Sequence, residues 1–184
     1  TAEEIWQFPK DEPRFYSFRN FELTANDRIL FTAERDNWNH VFSMPLSGGD
    51  PVDLTPGDAF VEHVGLSRDG KTLFFSSNLA DIHGRHIWKV PTDGSGEAVQ
   101  LTNEATIGTY PVALASGDKV AFLYATAVHP TSIATVPADG GEIVVIAPET
   151  LPAEYPMDEL VIPELVIVKA PDGLEIPCQL FLPK

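Results

Sequence analysis

The sequence predicts an all-β fold: a partial β-propeller of about three four-stranded antiparallel blades, followed by a β-hairpin. Three observations carry this expectation. Prolines at 45, 91 and 137 lie in matching segments, so that both intervals are 46 residues. Each copy consists of short runs rich in β-branched and aromatic residues, bounded by Gly, Asn and Asp turn signals. Finally, 16 Pro and 13 Gly among 184 residues punctuate the chain too often for a bundle of long helices.

The first copy runs Ile29-Leu30-Phe31, a polar loop, His40-Val41-Phe42-Ser43-Met44-Pro45, Gly48-Gly49 and then Leu54-Thr55. The second repeats it as Leu73-Phe74-Phe75, His86-Ile87-Trp88-Lys89-Val90-Pro91, Asp93-Gly94 and Leu101-Thr102. The third is Val120-Ala121-Phe122, Ser132-Ile133-Ala134-Thr135-Val136-Pro137, Gly140-Gly141 and Ile146-Ala147. Asn26-Asp27, Asp69-Gly70 and Gly117-Asp118 precede the first strong strand of each copy. These dipeptides tolerate positive φ, so tight hairpins are expected both there and after each proline. Four strands, a to d, in each 46-residue unit match one propeller blade. For the middle copy they are expected near 60–67, 71–78, 85–91 and 97–102.

Three blades are fewer than the four to eight that close a propeller, so each outer blade should present a face that expects a neighbour. The blades are assigned to residues 1–147 and a Pro-rich acidic connector to 148–163. In residues 164–184, Leu165 to Ala170, a Pro171-Asp172-Gly173 turn, and Leu174, Ile176, Cys178, Leu180 and Leu182 in alternation form a hairpin outside the repeat. It has the character of the first hairpin of another domain, interrupted at Lys184.

A net charge of −15 argues against nucleic acid and anionic membrane surfaces as partners. The hydrophobic content of 43% is too high for a disordered acidic tail. No apolar run is long enough to span a membrane. Cys178, the only cysteine, can form neither an intramolecular disulfide nor a cysteine-rich metal site. The chain opens on Thr1 and has the look of a mature form or an excised piece.

Glu34-Arg35-Asp36-Asn37-Trp38-Asn39-His40-Val41-Phe42 resembles a propeller stretch of the dipeptidyl peptidase IV-like branch of prolyl oligopeptidase-type serine peptidases. Phe75-Ser76-Ser77-Asn78 through Arg85-His86-Ile87-Trp88-Lys89-Val90 is similar to the family's next blade. Pro163 to Lys184 resembles the strand pair that opens the family's α/β-hydrolase domain. The resemblance covers roughly residues 27–184, in family order. It implies a propeller fragment that gates and positions short peptides for a serine exopeptidase domain absent from this chain. The partners implied are a short peptide, the remaining blades and that hydrolase domain, with homo-oligomerisation left open. It also favours a periplasmic or secreted setting over the cytoplasm. The alternative is a non-enzymatic binding or scaffold propeller of the periplasmic translocation type.

Asn37 departs from the family's usual Gly, which alters only a loop. Glu3-Glu4 have the composition of the family's paired glutamates, but their context is wrong, because only the last blades follow them. No catalytic residue is assigned: the nearest approach to G-x-S-x-G, Gly65-Leu66-Ser67-Arg68-Asp69, ends in Asp and leads into a β-turn. Ser67 to Phe74 is similar to a sialidase Asp box, but Asp69 and Gly70 are adjacent and the spacing fails. No cofactor is expected.

The five histidines, His40, His63, His83, His86 and His129, do not have metal-site spacing. His40 and His86 share one repeat slot, 46 apart, and with Pro45, Pro91 and Pro137 are read as scaffold. The b–c loops, taken as 34–39, 78–85 and 125–131, differ between copies. They offer Glu34, Arg35, Asp36, Trp38, Asp81, His83, Arg85 and His129 on one face. Charged loops with an aromatic on a rigid scaffold often form contact surfaces, here a chamber wall or docking face. The simpler reading is a set of solvated loops, with Glu34 and Arg35 in local ion pairs.

Overall fold

A computed structural model describes residues 3–7, 18–103, 106–146 and 151–183. Twelve of its strands form three four-stranded antiparallel sheets, each in simple sequence order. Blade 1 contains β1 (Arg19–Leu23), β2 (Arg28–Arg35), β3 (Trp38–Pro45) and β4 (Val52–Asp53). Blade 2 contains β5 (Val61–Leu66), β6 (Thr72–Ser77), β7 (His86–Pro91) and β8 (Val99–Gln100). Blade 3 contains β9 (Ile107–Ala113), β10 (Lys119–Thr126), β11 (His129–Pro137) and β12 (Val144–Ile146). After a 3-10 turn at Met157–Glu159, β13 (Glu164–Lys169) and β14 (Glu175–Leu180) pair as a separate two-stranded hairpin. The fold is therefore the expected one: almost all β, a partial propeller followed by a hairpin. Residues 148–150 of the expected connector and Lys184 lie outside the described residues.

Period-2 alternation gives each blade two faces, and the packing uses them in sequence. Leu30 and Val41 of blade 1 meet Leu73, Phe75, Trp88 and Val90 of blade 2 in one buried cluster. The opposite face of blade 2, through Phe74 and Ile87, joins Val120, Phe122, Ala134 and Val136 of blade 3 in a second. Adjacent residues Phe74 and Phe75 thus serve different interfaces. On the far side of blade 1, Phe31, Ala33, Phe42 and Met44 form a third cluster against which Trp6 packs.

Glycine sets how closely blades 2 and 3 approach. A Cβ on Gly65 would collide with the backbone carbonyl of Pro111, so only glycine lets β5 and β9 cross there. Each proline carbonyl accepts a hydrogen bond from a glycine amide three residues on: Gly48 (3.0 Å), Gly94 (3.3 Å) and Gly140 (2.9 Å). The 46-residue register is therefore a repeated turn, held by the same bond in every blade.

Two loop expectations are corrected. The first and third b–c connections are two-residue turns, Asp36-Asn37 and Ala127-Val128, with Glu34, Arg35 and Trp38 already in strands. Asp36 (φ 53°) and Asn37 (φ 69°) adopt the double positive φ that a right-twisted hairpin prefers, which Asp and Asn tolerate. Conversely, the c–d connections after Pro45, Pro91 and Pro137 are longer than two-residue hairpins, running 46–51, 92–98 and 138–143. Strand d is short in each blade, and the glycines curl the chain within a wider loop.

Candidate functional site at the meeting of blades 2 and 3 with the hairpin

Only blade 2 keeps a long b–c loop, residues 78–85, and the structure builds a cleft around it. The cleft has a volume of about 580 Å³. Asp81, His83 and Gly84 form one wall, and Tyr124, Thr126 and His129 at the tip of blade 3 form another. Met157, Ile162, Pro163, Leu165 and Gln179 close it from the connector and hairpin. Its size and its mixture of apolar surface with a few polar groups suit a small ligand or a short peptide. A larger groove, about 970 Å³, lies between Gln100–Asn103 and Gly141–Ile143, but among the described residues it holds only one carboxylate, Glu142.

The 78–85 loop is held by its own polar groups. Asn78, buried, accepts a hydrogen bond from the Phe60 amide through Oδ1 at 2.6 Å, tying the loop's start to the approach to β5. Asp81 accepts from the His83 amide (Oδ1, 3.0 Å) and from His86 Nε2 (Oδ2, 3.3 Å). At the loop's end, Arg85 donates to Glu62 (2.6 Å) and to the Gly84 carbonyl (2.7 Å). On the opposite wall, His129 Nδ1 donates to the Pro130 carbonyl at 2.8 Å, and its ring packs 5.3 Å from that of Tyr124. In the neutral ring this leaves Nε2 as the acceptor.

Of the face expected from the sequence, Asp81, His83 and His129 come together in this cleft, with Arg85 beside it in an ion pair. Glu34, Arg35, Asp36 and Trp38 do not line it; they sit at the hairpin tip of blade 1. Arg35 contacts Asp36 at 3.7 Å with both side chains largely in water, a contact of little energetic weight. Sequence reasoning missed Tyr124, Gln179 and the connector residues, because nothing in their spacing marks a shared site. It also missed Asn39, whose amide bonds the Val61 carbonyl and docks blade 1 onto β5.

The shared histidine slot is buried in both blades, but the two rings have different partners. His40 Nδ1 donates to the Thr55 carbonyl at 2.7 Å, 3.5 Å from the Asp53 carboxylate. In blade 2 the corresponding Thr102 carbonyl is taken by Gln100 Nε2 at 2.7 Å. The His86 ring turns instead to Asp81, and its buried Nδ1 has no hydrogen-bond partner among the described residues. Burial pushes the Asp53 carboxyl above its ordinary value, against the lowering influence of the Thr55 amide and the His40 and Arg35 charges.

Ser67 is no nucleophile elbow. Its hydroxyl donates to Asp69 at 2.6 Å and accepts from the Thr72 amide in the a–b turn of blade 2. Among the described residues no three His, Cys, Asp or Glu side chains converge as metal ligands, and no helix is long and apolar enough to cross a membrane.

Comparison with known proteins agrees with this architecture. A family model described as the dipeptidyl peptidase IV N-terminal region matches residues 1–129. The uncharacterized protein Atu1656 of Agrobacterium fabrum is 32% identical over 89 residues, spanning 48% of this chain and 29% of that protein. Among solved structures, putative TolB from Agrobacterium tumefaciens superposes with a TM-score of 0.57 at 24% identity, over 74% of this chain and 50% of its own. Dipeptidyl peptidase 4 of Porphyromonas gingivalis gives 0.63 at 18%, over 86% and 22%. A puromycin-hydrolyzing peptidase of Mycobacterium tuberculosis gives 0.66 at 16%, over 83% and 24%. The chain thus spans half or less of each relative, and the likeness to solved structures is one of fold. With 129 of its 184 residues matched, the chain belongs to the dipeptidyl peptidase IV N-terminal region family.

Proposed function

We propose that this chain is the non-catalytic propeller part of a serine exopeptidase, in which it receives and positions short peptides for a hydrolase domain. The observation that carries the reading is the cleft where blades 2 and 3 meet residues 157–179. It combines a partly exposed carboxylate, Asp81, with Tyr124, His129 and an apolar floor. A peptide's ammonium terminus complements that carboxylate and the chain's net negative charge, while its side chains suit the apolar floor. The hairpin β13–β14 is read as the start of the hydrolase domain, whose acyl-enzyme chemistry would use residues beyond those described. The proposed setting is periplasmic or secreted.

Two measurements test this. Titration of the chain with alanyl-proline, followed by amide NMR, is expected to shift resonances of residues 81–84 and 124–129. Acetylation of the dipeptide's amine is expected to weaken the response; equal binding of both forms would overturn the proposed amine recognition. The chain should not hydrolyse a proline-containing dipeptide chromogenic substrate, and turnover sensitive to a serine-directed inhibitor would overturn the non-catalytic assignment. The competing reading is a binding or scaffold propeller, favoured by the structural likeness to TolB over 74% of the chain. It predicts no dipeptide binding in the cleft, and capture of a folded protein partner instead.

A further inference from the structure

We infer that His86 is a positioning residue: its imidazole latches the 78–85 loop through Asp81 and so fixes one wall of the cleft. The ring itself lies outside that wall. It is only 1% exposed, at the start of β7, with the loop folded over it. Its Nε2 reaches Asp81 Oδ2 at 3.3 Å, whereas its Nδ1 is buried without a partner among the described residues. A carboxylate accepts, so Nε2 carries the hydrogen, and Nδ1 is the ring nitrogen left over. A buried ring nitrogen left unpaired is costly, which makes this arrangement a poor choice for a purely structural histidine. His40 in the same slot avoids the cost by bonding the Thr55 carbonyl. His86 does not copy it: the Thr102 carbonyl accepts from Gln100, and the ring turns to Asp81. The ring is thereby assigned to the loop.

Gly84 gives an independent sign of the latch. A Cβ there would lie 2.5 Å from Asp81 Oδ2 and 2.6 Å from His86 Nε2. Gly84 does not have the left-handed φ that would itself require glycine, so what demands it is the space around the pair. A side chain at position 84 would force Asp81 or His86 to shift. Asp81 couples both functions: Oδ2 takes the latch, Oδ1 takes the His83 amide, and the carboxylate stands in the cleft wall.

The test uses the intact chain and three variants. His86→Phe removes the latch while leaving the Asp81–His83 turn in place. Gly84→Ala leaves both partners chemically unchanged and pushes them apart. His86→Gln supplies a replacement N–H donor at similar reach. Amide hydrogen exchange of residues 80–84 is expected to quicken about tenfold or more in the first two, the range set by losing a hydrogen bond to a charged group. Exchange in β10 of blade 3 should stay unchanged, and His86→Gln should recover much of the protection. In the parent chain, ¹⁵N imidazole spectra should show the His86 hydrogen on Nε2 and a non-bonded Nδ1. Unchanged exchange in Gly84→Ala, or an Nε2 that carries no hydrogen, would overturn the latch. The latch's relevance to ligands rests on the peptide reading of the cleft, and the two fail differently. Faster loop exchange with unaltered alanyl-proline binding keeps the latch and removes the cleft as the peptide site.

Discussion

The middle blade and the third blade share a strand pattern but not an environment. Blade 2 is packed on both faces: Phe75 and Ile87, on opposite sides of its sheet, are each 0% exposed. Blade 3 buries Val120, Phe122, Ala134 and Val136 on one side, whereas Ile133 and Val144 on the other are 54% and 52% exposed. Apolar side chains stand on both faces of both blades. What differs is the neighbour. A blade's stability is therefore held in its interfaces, and the energetic weight of a residue follows from which interface it faces.

The largest effect should come from the doubly packed blade. Phe75→Ala removes a fully buried ring and is expected to cost about 3–5 kcal/mol, read as a lower urea midpoint with little change in slope. A loss below about 1 kcal/mol would show that blades 1 and 2 are not tightly joined in solution. Next is the crossing of blades 2 and 3. Gly65→Ala forces a methyl against the Pro111 carbonyl, and about 1–3 kcal/mol should be lost as β5 and β9 separate.

The histidine slots sharpen the comparison by pH. Asp53 has its folded pKa raised, so the stability tied to its protonated form is complete below the ordinary value of 3.8 and is lost as pH rises through the folded value. Asp53→Asn stays neutral, so its stability relative to the parent should increase over that interval and then level off. Urea midpoints from pH 3.5 to 7 check this, and a constant difference would contradict the burial of Asp53. The turn residues Asp69, Asp93 and Asp118 behave oppositely. Their serine partners hold the carboxyls below the usual range, so the stability they add is present above it and lost on acidification. The smallest effect belongs to the open face of blade 3, where Ile133→Thr should change stability by about 0.5 kcal/mol or less.

The blades were legible because a repeated turn leaves a repeated residue: Pro45, Pro91 and Pro137 mark the same carbonyl-to-glycine bond. The two-residue turn at Asp36-Asn37 could also have been found, since Asp and Asn are the non-glycine residues most at ease with positive φ. Its misreading as a loop enlarged the expected contact face around Trp38. The histidine slot shows a different limit. Its recurrence was visible, but the partner of each ring was not: the Thr55 carbonyl in one blade and Asp81 of the loop in the next.

By itself the sequence determined the strand period, the repeated proline-to-glycine turns and the blade count, because these depend on neighbours within a few residues along the chain. Tertiary structure alone decided the cleft. Asp81, Tyr124, His129 and Gln179 meet there through the stacking of two sheets and the return of the hairpin. Contacts between residues so far apart follow from how whole elements pack, and no local periodicity records them.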